Sequence, residues 1–389
     1  MKYSLSEDTW NQEELGAIQK VIDSNRYTMG AHVQAFEKKF AEKMGVKHAV
    51  MVNSGSSANL LAIAALVYSG KLPRGSQVIV PAVSWSTTYA PLEQFGMKLR
   101  FADIDTDTLN ISVRSLKEAV TADTRMLFAV NLLGNPNEWE ELQSFCNEKN
   151  ILIAEDNCES MGAVYEGKAL GTFGLIGTYS SFYSHHICTM EGGVAVTNDD
   201  LLYEYMLAIR AHGWTRNLPE KSLLHQRSGD SFYEKFHFIV PGFNLRPLEM
   251  EEAIGCAQLD KLDEMIAARR KNAAYFQKRM ANFPEIRLQK EVGHSSWFGF
   301  SLVLQGTLAA KRDALVRFLE AHEIEVRPIV AGNFTRNPVI RFMDCEMPVP
   351  LTNADEIHEH GFYIGNYSRN STEEIDYFID TLQSFLAKG

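Results

Sequence analysis

The sequence has few cysteines, no long apolar run and no excess of positive charge. Its five cysteines are odd in number and scattered along 389 residues, and no two of them show C-x-x-C spacing. This pattern indicates neither a disulfide framework nor a cysteine-bound zinc site, and it is typical of free thiols in a reducing cytoplasm. The cysteines are Cys146, Cys158, Cys188, Cys256 and Cys345.

Two further absences narrow the class of protein. No stretch approaches the roughly 18 apolar residues that a membrane-spanning helix needs, and residues 1–8 contain no apolar signal core. We therefore expect a cytoplasmic protein. The formal net charge of −11 argues against non-specific binding to nucleic acid, which needs clustered lysine and arginine. It does not exclude a phosphorylated ligand, because backbone N–H groups and a few local cations can hold a phosphate.

Short apolar runs alternate with amphipathic stretches over the first two thirds of the chain. This alternation predicts βαβ units and a mostly parallel, doubly wound α/β sheet with helices on both faces. In such sheets, ligands bind at the carboxyl ends of the strands. The predicted strands are Gln77–Val80, Leu99–Ile104, Met126–Val130, Ile151–Ala154 and Val194–Thr197, and the predicted helices include Ala58–Tyr68, Val113–Val120 and Trp139–Glu148.

The pattern changes after Pro241-Gly242 and predicts a smaller α+β domain that closes over the first. We expect a large domain over residues 1–245 and a small C-terminal domain over residues 246–389. The elements predicted for this part are a long helix near 248–283, strands around 296–304, and helices over 308–322 and 372–387.

The segment Asn53-Ser54-Gly55-Ser56-Ser57-Ala58-Asn59 follows the apolar run His48–Val52 and opens a helix. Small residues and hydroxyls at a helix N-terminus favour a bound phosphate, because free N–H groups and the helix dipole attract an anion. Serine is also an ordinary helix cap. Taken alone, the segment favours the plain cap.

Carboxylates follow the predicted strand 151–154. Asp156 follows it, with Glu155 before Asp156 and Glu159 three residues beyond. The end of a central strand is a common place for functional carboxylates in α/β sheets. A capping or surface carboxylate would give the same pattern, so both interpretations stay open here.

The densest polar segment is Gly177–His186, which is followed by Glu191-Gly192-Gly193. It offers hydroxyls, aromatic rings and two adjacent histidines, His185 and His186. Because adjacent side chains point apart on a strand, we expect that the two histidines do not share a metal ion. A lone histidine is usually structural, and the functional alternative is acid–base catalysis by one of the two.

Three more residues have both a structural and a functional interpretation. Trp85 follows the strand Gln77–Val80 and suits either the core or a flat face on which a planar ring stacks. Asn244 and Arg246 lie at the predicted domain junction, where polar side chains suit ligand contact and simple capping about equally.

Taken together, these segments resemble the sugar-nucleotide branch of the fold type I, aspartate aminotransferase-like enzymes, the DegT/DnrJ/EryC1-like family, over nearly the whole chain. Each motif alone is weak, whereas their order and spacing are specific. The resemblance implies that fold and a vitamin B6 cofactor, pyridoxal or pyridoxamine 5′-phosphate. The matching segments are Asn53 to Ala58, Val80-Pro81 with Trp85, Glu155-Asp156, Ser180 to His185, Glu191-Gly192-Gly193 and Gly242-Phe243-Asn244-Leu245-Arg246.

The resemblance also implies roles at matching positions. Ser56, Ser57 and Ser180 would hold the cofactor phosphate, and Trp85 would stack on the pyridine ring. The family's asparagine at the position of Asn244 reaches the phosphate of the neighbouring subunit, which implies a homodimer with shared active sites.

Two carboxylates match residues beside the cofactor ring. Asp156 would pair with the ring nitrogen and keep it protonated, so that the ring draws electrons from the bond being broken. Glu159 looks like the residue near the ring hydroxyl.

His185 stands where the family carries its cofactor-binding lysine. That lysine lies five residues after the phosphate-binding serine and six before the glutamate of the Glu-Gly-Gly turn, and the counts from Ser180 and from Glu191 both reach position 185. Histidine cannot form the internal Schiff base that lysine forms. The cofactor would then be held non-covalently, with pyridoxamine phosphate as its resting form. An imidazole with an ordinary pKa of about 6.5 still moves protons near neutrality.

A histidine at this position resembles the 3-dehydratases of nucleotide-linked keto-deoxysugars. The CDP-sugar type adds an iron–sulfur cluster, which needs about four cysteine thiolates. Residues 210–256, where the resemblance would place the cluster motif, hold only Cys256. We therefore expect no cluster and a GDP-sugar substrate. Further matching segments are Pro81 to Tyr89, Asn131 to Asn137, Ser184-His185-His186 and His212 to Pro219.

The resemblance implies removal of the C3 hydroxyl of a 4-keto-6-deoxy sugar, with His185 as acid and base and with L-glutamate restoring the pyridoxamine form. The candidates for substrate contact are Ser184, His212, Arg246 and Arg327. The alternatives are a sugar-nucleotide 4-aminotransferase, a 3-dehydratase of another nucleotide sugar, and a non-catalytic relative that binds a ligand.

Overall fold

A mixed eight-stranded sheet forms the centre of the molecule, as a computed structural model that describes residues 2–388 shows. The described strands are β1 His48–Val52, β2 Gln77–Pro81, β3 Lys98–Ala102, β4 Thr124–Val130, β5 Leu152–Asp156, β6 Val164–Tyr165, β7 Lys168–Ala169, β8 Ile176–Ser180, β9 Gly193–Thr197, β10 Ile286–Leu288, β11 Gly299–Leu304, β12 Val326–Arg327, β13 Cys345–Glu346 and β14 Gly361–Gly365.

The helices flank this sheet and a smaller one. They are α1 Gln12–Ser24, α2 Ala31–Met44, α3 Gly55–Tyr68, α4 Ser86–Gln94, α5 Val113–Ala119, α6 Trp139–Glu148, α7 Asp200–Arg210, α8 Glu249–Met280, α9 Arg312–Ala321, α10 Thr352–His360 and α11 Thr372–Leu386. None of the helices in residues 2–388 is long and apolar enough to cross a membrane.

The large sheet has the order β1-β9-β8-β5-β4-β2-β3-β13. Its neighbours from β8 to β13 pair in parallel, whereas β9 runs antiparallel to both β8 and β1. Strands buried on both faces read as continuous apolar runs, which is why they could be found in the sequence. The predicted mostly parallel sheet and its five strands are confirmed, with ends that shift by up to two residues.

The predicted end of the strand near Ala154 was wrong. β5 continues to Asp156, because Ala154, Glu155 and Asp156 all pair with β8. The strand β8 was not predicted, since Gly177 and Ser180 interrupt its apolar pattern and glycine is depleted in strands. Pairing on both sides, with β5 and β9, determines its conformation.

A second, antiparallel sheet of order β10-β11-β14-β12 lies in the C-terminal part. The 32-residue helix α8 connects the two parts. Its Leu259 and Leu262 pack in a core cluster with α2 and β9, and its Ala273 and Phe276 pack against the small sheet. The division at residues 245 and 246 stays a prediction.

Candidate active site

A cavity of about 750 Å³ opens at the carboxyl ends of the central strands. Val130, Asp156 and Ser180, the last residues of β4, β5 and β8, line its floor. Phe298, just before β11, and Arg327 of β12 close it from the side of the small sheet. The cavity therefore lies where a doubly wound sheet places its ligands.

The N-terminus of α3 forms one wall of this cavity. Ser54 caps the helix by accepting a hydrogen bond from the Ser57 N–H at 3.0 Å, while Ser56 lines the cavity and donates its hydroxyl hydrogen to Thr87 Oγ1 at 2.9 Å. A side chain at Gly55 would place its Cβ 2.6 Å from the Cβ of Ser180. The glycine thus lets the helix end approach the Ser180 hydroxyl, which creates an anion-binding surface of N–H groups and hydroxyls.

The Glu-Gly-Gly turn explains how α3 can sit so close to β9. A Cβ at Gly193 would lie 2.2 Å from the carbonyl oxygen of Ser54 and 2.6 Å from the Gly55 nitrogen. A Cβ at Gly192 would lie 2.4 Å from the Ser181 hydroxyl. Both glycines are therefore required by close packing, which supports the geometry of the anion-binding surface.

Asp156 is fixed by a network of hydrogen bonds that the sequence did not indicate. Its Oδ2 accepts hydrogen bonds from Asn59 Nδ2 and from Thr88 Oγ1, both at 2.8 Å, and its Oδ1 accepts one from the Cys158 N–H at 3.1 Å. Asn59 is in turn held by Thr178, which donates to its Oδ1 at 2.6 Å. A carboxylate with its donors in place keeps one orientation towards the cavity.

The neighbouring carboxylates have different surroundings. Glu155 points away from the cavity and accepts hydrogen bonds from the N–H groups of Gly171, Phe173 and Gly174 at 2.6–2.7 Å. Glu159 lines the cavity and accepts a hydrogen bond from the Leu133 N–H at 3.0 Å. Burial raises the pKa of Glu159 to about 7, and the nearby Asp156 adds to the effect.

Trp85 presents its ring to the cavity. It precedes the first residue of α4, remains 59% exposed and lines the opening. A large apolar side chain that is left open beside a cavity is available for stacking on a planar ligand.

His185 lies in a turn between β8 and β9. The prediction that His185 and His186 lie on a strand was therefore wrong. The His185 backbone N–H donates to the Phe182 carbonyl at 2.8 Å, and its side chain lines the cavity. The ring centroid lies 5.2 Å from that of Phe298, and its Nδ1 is buried without a partner among the described residues. Burial, together with the positive charge of Arg269, lowers the pKa of His185 to about 4.

His186 does not line the cavity and is fully buried, with its ring centroid 5.6 Å from that of Phe298. Burial lowers its pKa well below the ordinary value, with further contributions from Arg269 and His185. Arg269 comes from α8, where it donates hydrogen bonds to the carbonyls of Phe298 at 3.1 Å and Asn366 at 2.5 Å. Sequence reasoning missed both Arg269 and Phe298, because neither lies near a recognisable motif.

The remaining predicted residues divide into two groups. Ser184 and Arg327 line the cavity, and Arg327 is the one cation among its described lining residues. His212, Asn244 and Arg246 do not line it; Asn244 is exposed, and its Oδ1 accepts a hydrogen bond from Arg246 Nε at 2.8 Å. Ser57 also stays outside, one position further along α3 than Ser56.

Comparison with known proteins gives a family and close relatives. The model of the DegT/DnrJ/EryC1/StrS aminotransferase family matches residues 8–383. The chain is 51% identical over 387 residues to GDP-4-keto-6-deoxy-D-mannose 3-dehydratase of Yersinia pseudotuberculosis, with 98% of each protein covered. It is 50% identical to the enzyme of the same name from Escherichia coli O55:H7, with 98% of this chain and 100% of the relative covered.

Solved structures agree with the sequence comparison. A crystal structure of a GDP-4-keto-6-deoxymannose-3-dehydratase mutant with bound GDP-perosamine matches with a TM-score of 0.96 and 49% identity, over 98% of this chain and all of that one. A second structure of that enzyme, with a trapped PLP-glutamate geminal diamine, matches with the same values.

Proposed function

The chain belongs to the DegT/DnrJ/EryC1/StrS aminotransferase family, and we propose that within it this protein is a pyridoxal/pyridoxamine phosphate-dependent dehydratase of GDP-4-keto-6-deoxy-D-mannose. The product is GDP-4-keto-3,6-dideoxy-D-mannose, and L-glutamate regenerates the pyridoxamine form. The reaction belongs to the biosynthesis of a deoxysugar of the colitose type for O-antigen lipopolysaccharide, in the cytoplasm. The observation that carries the proposal is a neutral histidine, His185, in the cavity at the position of the family's lysine.

The residues of the cavity fit this cofactor. The N-terminus of α3 with the hydroxyls of Ser56 and Ser180 would hold the phosphate, in a space that a single Cβ at Gly55 would fill. Trp85 would stack on the pyridine ring, and Asp156 would pair with the protonated ring nitrogen. When bound, the cofactor supplies an amine for the C4 ketone of the sugar and a ring that accepts electrons.

Asp156 acts through its charge and its fixed orientation. The hydrogen bonds from Asn59 and Thr88 at 2.8 Å leave the carboxylate no freedom to rotate away from the cavity. Glu159 lies beside it and, with a pKa of about 7, can accept or share a proton with the ring hydroxyl at neutral pH.

His185 moves the proton. With the cofactor bound, its neutral ring would accept the proton released from the cofactor methylene and would then donate it to the departing C3 hydroxyl, which would leave as water. We assign this proton to Nε2, because Nδ1 is buried and has no contact with solvent. The turn that carries His185 and the ring of Phe298 at 5.2 Å keep the imidazole in place and exclude water from one side.

Substrate contacts and dimerisation form one further proposal. Ser184 and Arg327 line the cavity and would contact the nucleotide sugar. The cofactor and the nucleotide sugar both carry negatively charged phosphates, and one cation in the cavity does not balance them. We therefore infer that other groups complete the site.

Asn244, exposed and outside this cavity, would reach the cofactor phosphate of a second subunit, with Arg246 and His212 beside it. The protein would thus be a homodimer with shared active sites.

Product analysis tests the proposed reaction. The purified protein is incubated with GDP-4-keto-6-deoxymannose, pyridoxamine phosphate and glutamate, and in parallel with a CDP-linked sugar. We expect release of ammonia and a product from the GDP-sugar that is lighter by one oxygen atom. An amino sugar would instead identify a 4-aminotransferase, and cofactor binding without turnover would identify a binding protein. His185→Asn should abolish turnover. His322→Asn, which changes the C-cap histidine of α9 and does not touch a residue that lines the cavity, serves as the matched control.

A further inference from the structure

Between α7 and α8 the chain makes a long excursion over residues 211–243. Its base is closed by a bridge between Ala211 and Asn244 and by another between Trp214 and Phe238. Beyond this base, the excursion contains only two short 3-10 turns among the described residues, Thr215–Asn217 and Tyr233–Phe236. Regular backbone pairing alone therefore does little to fix its outer part.

Three side chains that commonly bind metal ions meet in this outer part. The nearest nitrogen or carboxylate oxygen atoms of His225, Glu234 and His237 all lie within 4.8 Å of one another. His225 Nε2 is 3.0 Å from Glu234 Oε2 and 3.2 Å from Oε1. The ring centroids of the two histidines are 4.7 Å apart, and His237 Nδ1 is buried without a hydrogen-bond partner in residues 2–388.

We propose that His225, Glu234 and His237 bind a divalent transition-metal ion of the zinc type. Two imidazoles and one carboxylate form a donor set that zinc accepts, with bonds of about 2.0–2.2 Å. A tetrahedral ion needs donor atoms about 3.3 Å apart. The separations of the three groups can reach this value by small rotations of the side chains. The fourth position is open to water.

The local backbone and its hydrogen bonds favour this arrangement. Glu234 lies in the 3-10 turn Tyr233–Phe236, and His237 follows it at a distance of three residues, which places both on one face. The Ser228 N–H donates to Glu234 Oε1 at 2.8 Å, and Thr215 Oγ1 donates to Oε2 at 3.3 Å. Such outer partners orient a carboxylate ligand.

A plain histidine–carboxylate hydrogen bond is the alternative explanation of this contact. The chain offers such a pair elsewhere, since His48 Nε2 lies 2.7 Å from Asp200 Oδ1. No third ligand completes a group there among the described residues. The second histidine, with its buried and unpartnered nitrogen, is what distinguishes the group of His225, Glu234 and His237.

A bound ion would join residue 225 to residues 234–237 and so stabilise the excursion. The base of the excursion carries His212, whose N–H donates to the Phe243 carbonyl at 2.7 Å, and Asn244. The ion would therefore support the placement of these two candidate residues without taking part in the chemistry of the cavity. The site does not depend on the proposed function.

Metal binding is tested on the full-length protein, purified without a histidine tag and stripped with a chelator. Zinc is titrated against a chromogenic competitor, and cobalt is added as a spectroscopic probe. We expect one zinc ion per chain at this site and the intense visible absorption of tetrahedral cobalt. His225→Gln and His237→Gln should each weaken zinc binding at least about tenfold, whereas His48→Gln should not change it.

Several results would overturn the proposal. These are the absence of stoichiometric zinc and cobalt binding by the wild-type protein, equal affinity in the His225→Gln variant, or a thiolate-to-cobalt charge-transfer band, which would place the ion on a cysteine. If the variants fail to fold, limited proteolysis of the wild-type protein decides. Zinc should slow cleavage within residues 218–232 at least about tenfold, and unchanged cleavage would contradict a metal bound there.

Discussion

Replacing Arg269 by glutamine should raise the pKa of His185 and so make catalysis sensitive to mild acid. Burial is the larger cause of the low pKa of this histidine, and the charge of Arg269 is the second. Both disfavour the protonated ring. The wild-type enzyme should therefore keep its base neutral well below the pH at which an ordinary histidine becomes protonated.

The largest expected loss of activity follows from two pKa values of histidine, the lowered value of His185 and the ordinary value. At pH 5.5 a histidine with a pKa of about 4 is ~97% neutral, whereas one with the ordinary value of about 6.5 is only ~9% neutral. The difference in the concentration of active base is about tenfold. Because burial remains in Arg269→Gln, the pKa of His185 should rise only part of the way, and the loss of activity at pH 5.5 should stay below this tenfold limit.

The assay is kcat/KM for turnover of the GDP-sugar between pH 4.5 and 8, followed by the ammonia that derives from the cofactor amine, since this parameter reports groups of the free enzyme. Arg269→Lys is the matched control, because it keeps the positive charge while losing the bidentate shape of the guanidinium. Circular dichroism at each pH, with recovery of activity at pH 7.5, excludes unfolding. The reasoning is refuted if the wild-type acid limb already lies near pH 6.5, or if the glutamine and lysine variants behave alike.

Three more predictions concern the cofactor site and the interior. Gly55→Ala should weaken cofactor binding at least about tenfold in a fluorescence titration, because its Cβ would lie 2.6 Å from that of Ser180. Gly16→Ala is the control, because a Cβ there would have no atom within 4 Å. Equal cofactor affinities of the two variants would contradict the anion-binding surface. Trp85→Ala should cost about 0.5–1.5 kcal/mol of stacking, or roughly two- to tenfold in cofactor affinity, and an unchanged dissociation constant would exclude stacking. Burial raises the pKa of Glu252 to about 9, and neither of its carboxyl oxygens has a hydrogen-bond partner among the described residues. The folded protein thus keeps a proton that the unfolded chain loses near pH 4.5, and stability should fall as the pH rises between these values. Glu252→Gln should remove this decline and raise the thermal midpoint more at pH 8 than at pH 5, so parallel pH profiles would argue against a buried neutral carboxyl.

Local patterns were enough to predict five strands of the large sheet. The alternation of buried runs and amphipathic helices is a property of neighbouring residues, and so it can be read before the fold is known. The position of His185 came from the resemblance to the family, whose lysine spacing was counted from Ser180 and from Glu191. The β8 strand was missed, because its conformation depends on two partners that are distant in sequence.

The different roles of two adjacent carboxylates could not be distinguished from the sequence. Glu155 and Asp156 are neighbours in β5, but they point to opposite sides of the sheet, one to the loop at Gly171 and one to the cavity. The donors that fix Asp156 are Asn59 and Thr88, which lie 97 and 68 residues away. No local pattern marks such a pair.

The sequence by itself determined the mostly parallel sheet, through its hydrophobic pattern. It also determined the family and the histidine in place of lysine, through the resemblance of its ordered motifs to known enzymes. Only the tertiary structure decided the electrostatic state of His185, since the burial of its ring and the charge of Arg269 come from segments that meet in the folded chain. The same holds for the group of His225, Glu234 and His237, whose first member is nine residues from the next. Chemistry that depends on distance in space, and not on distance along the chain, appears only when the chain has folded.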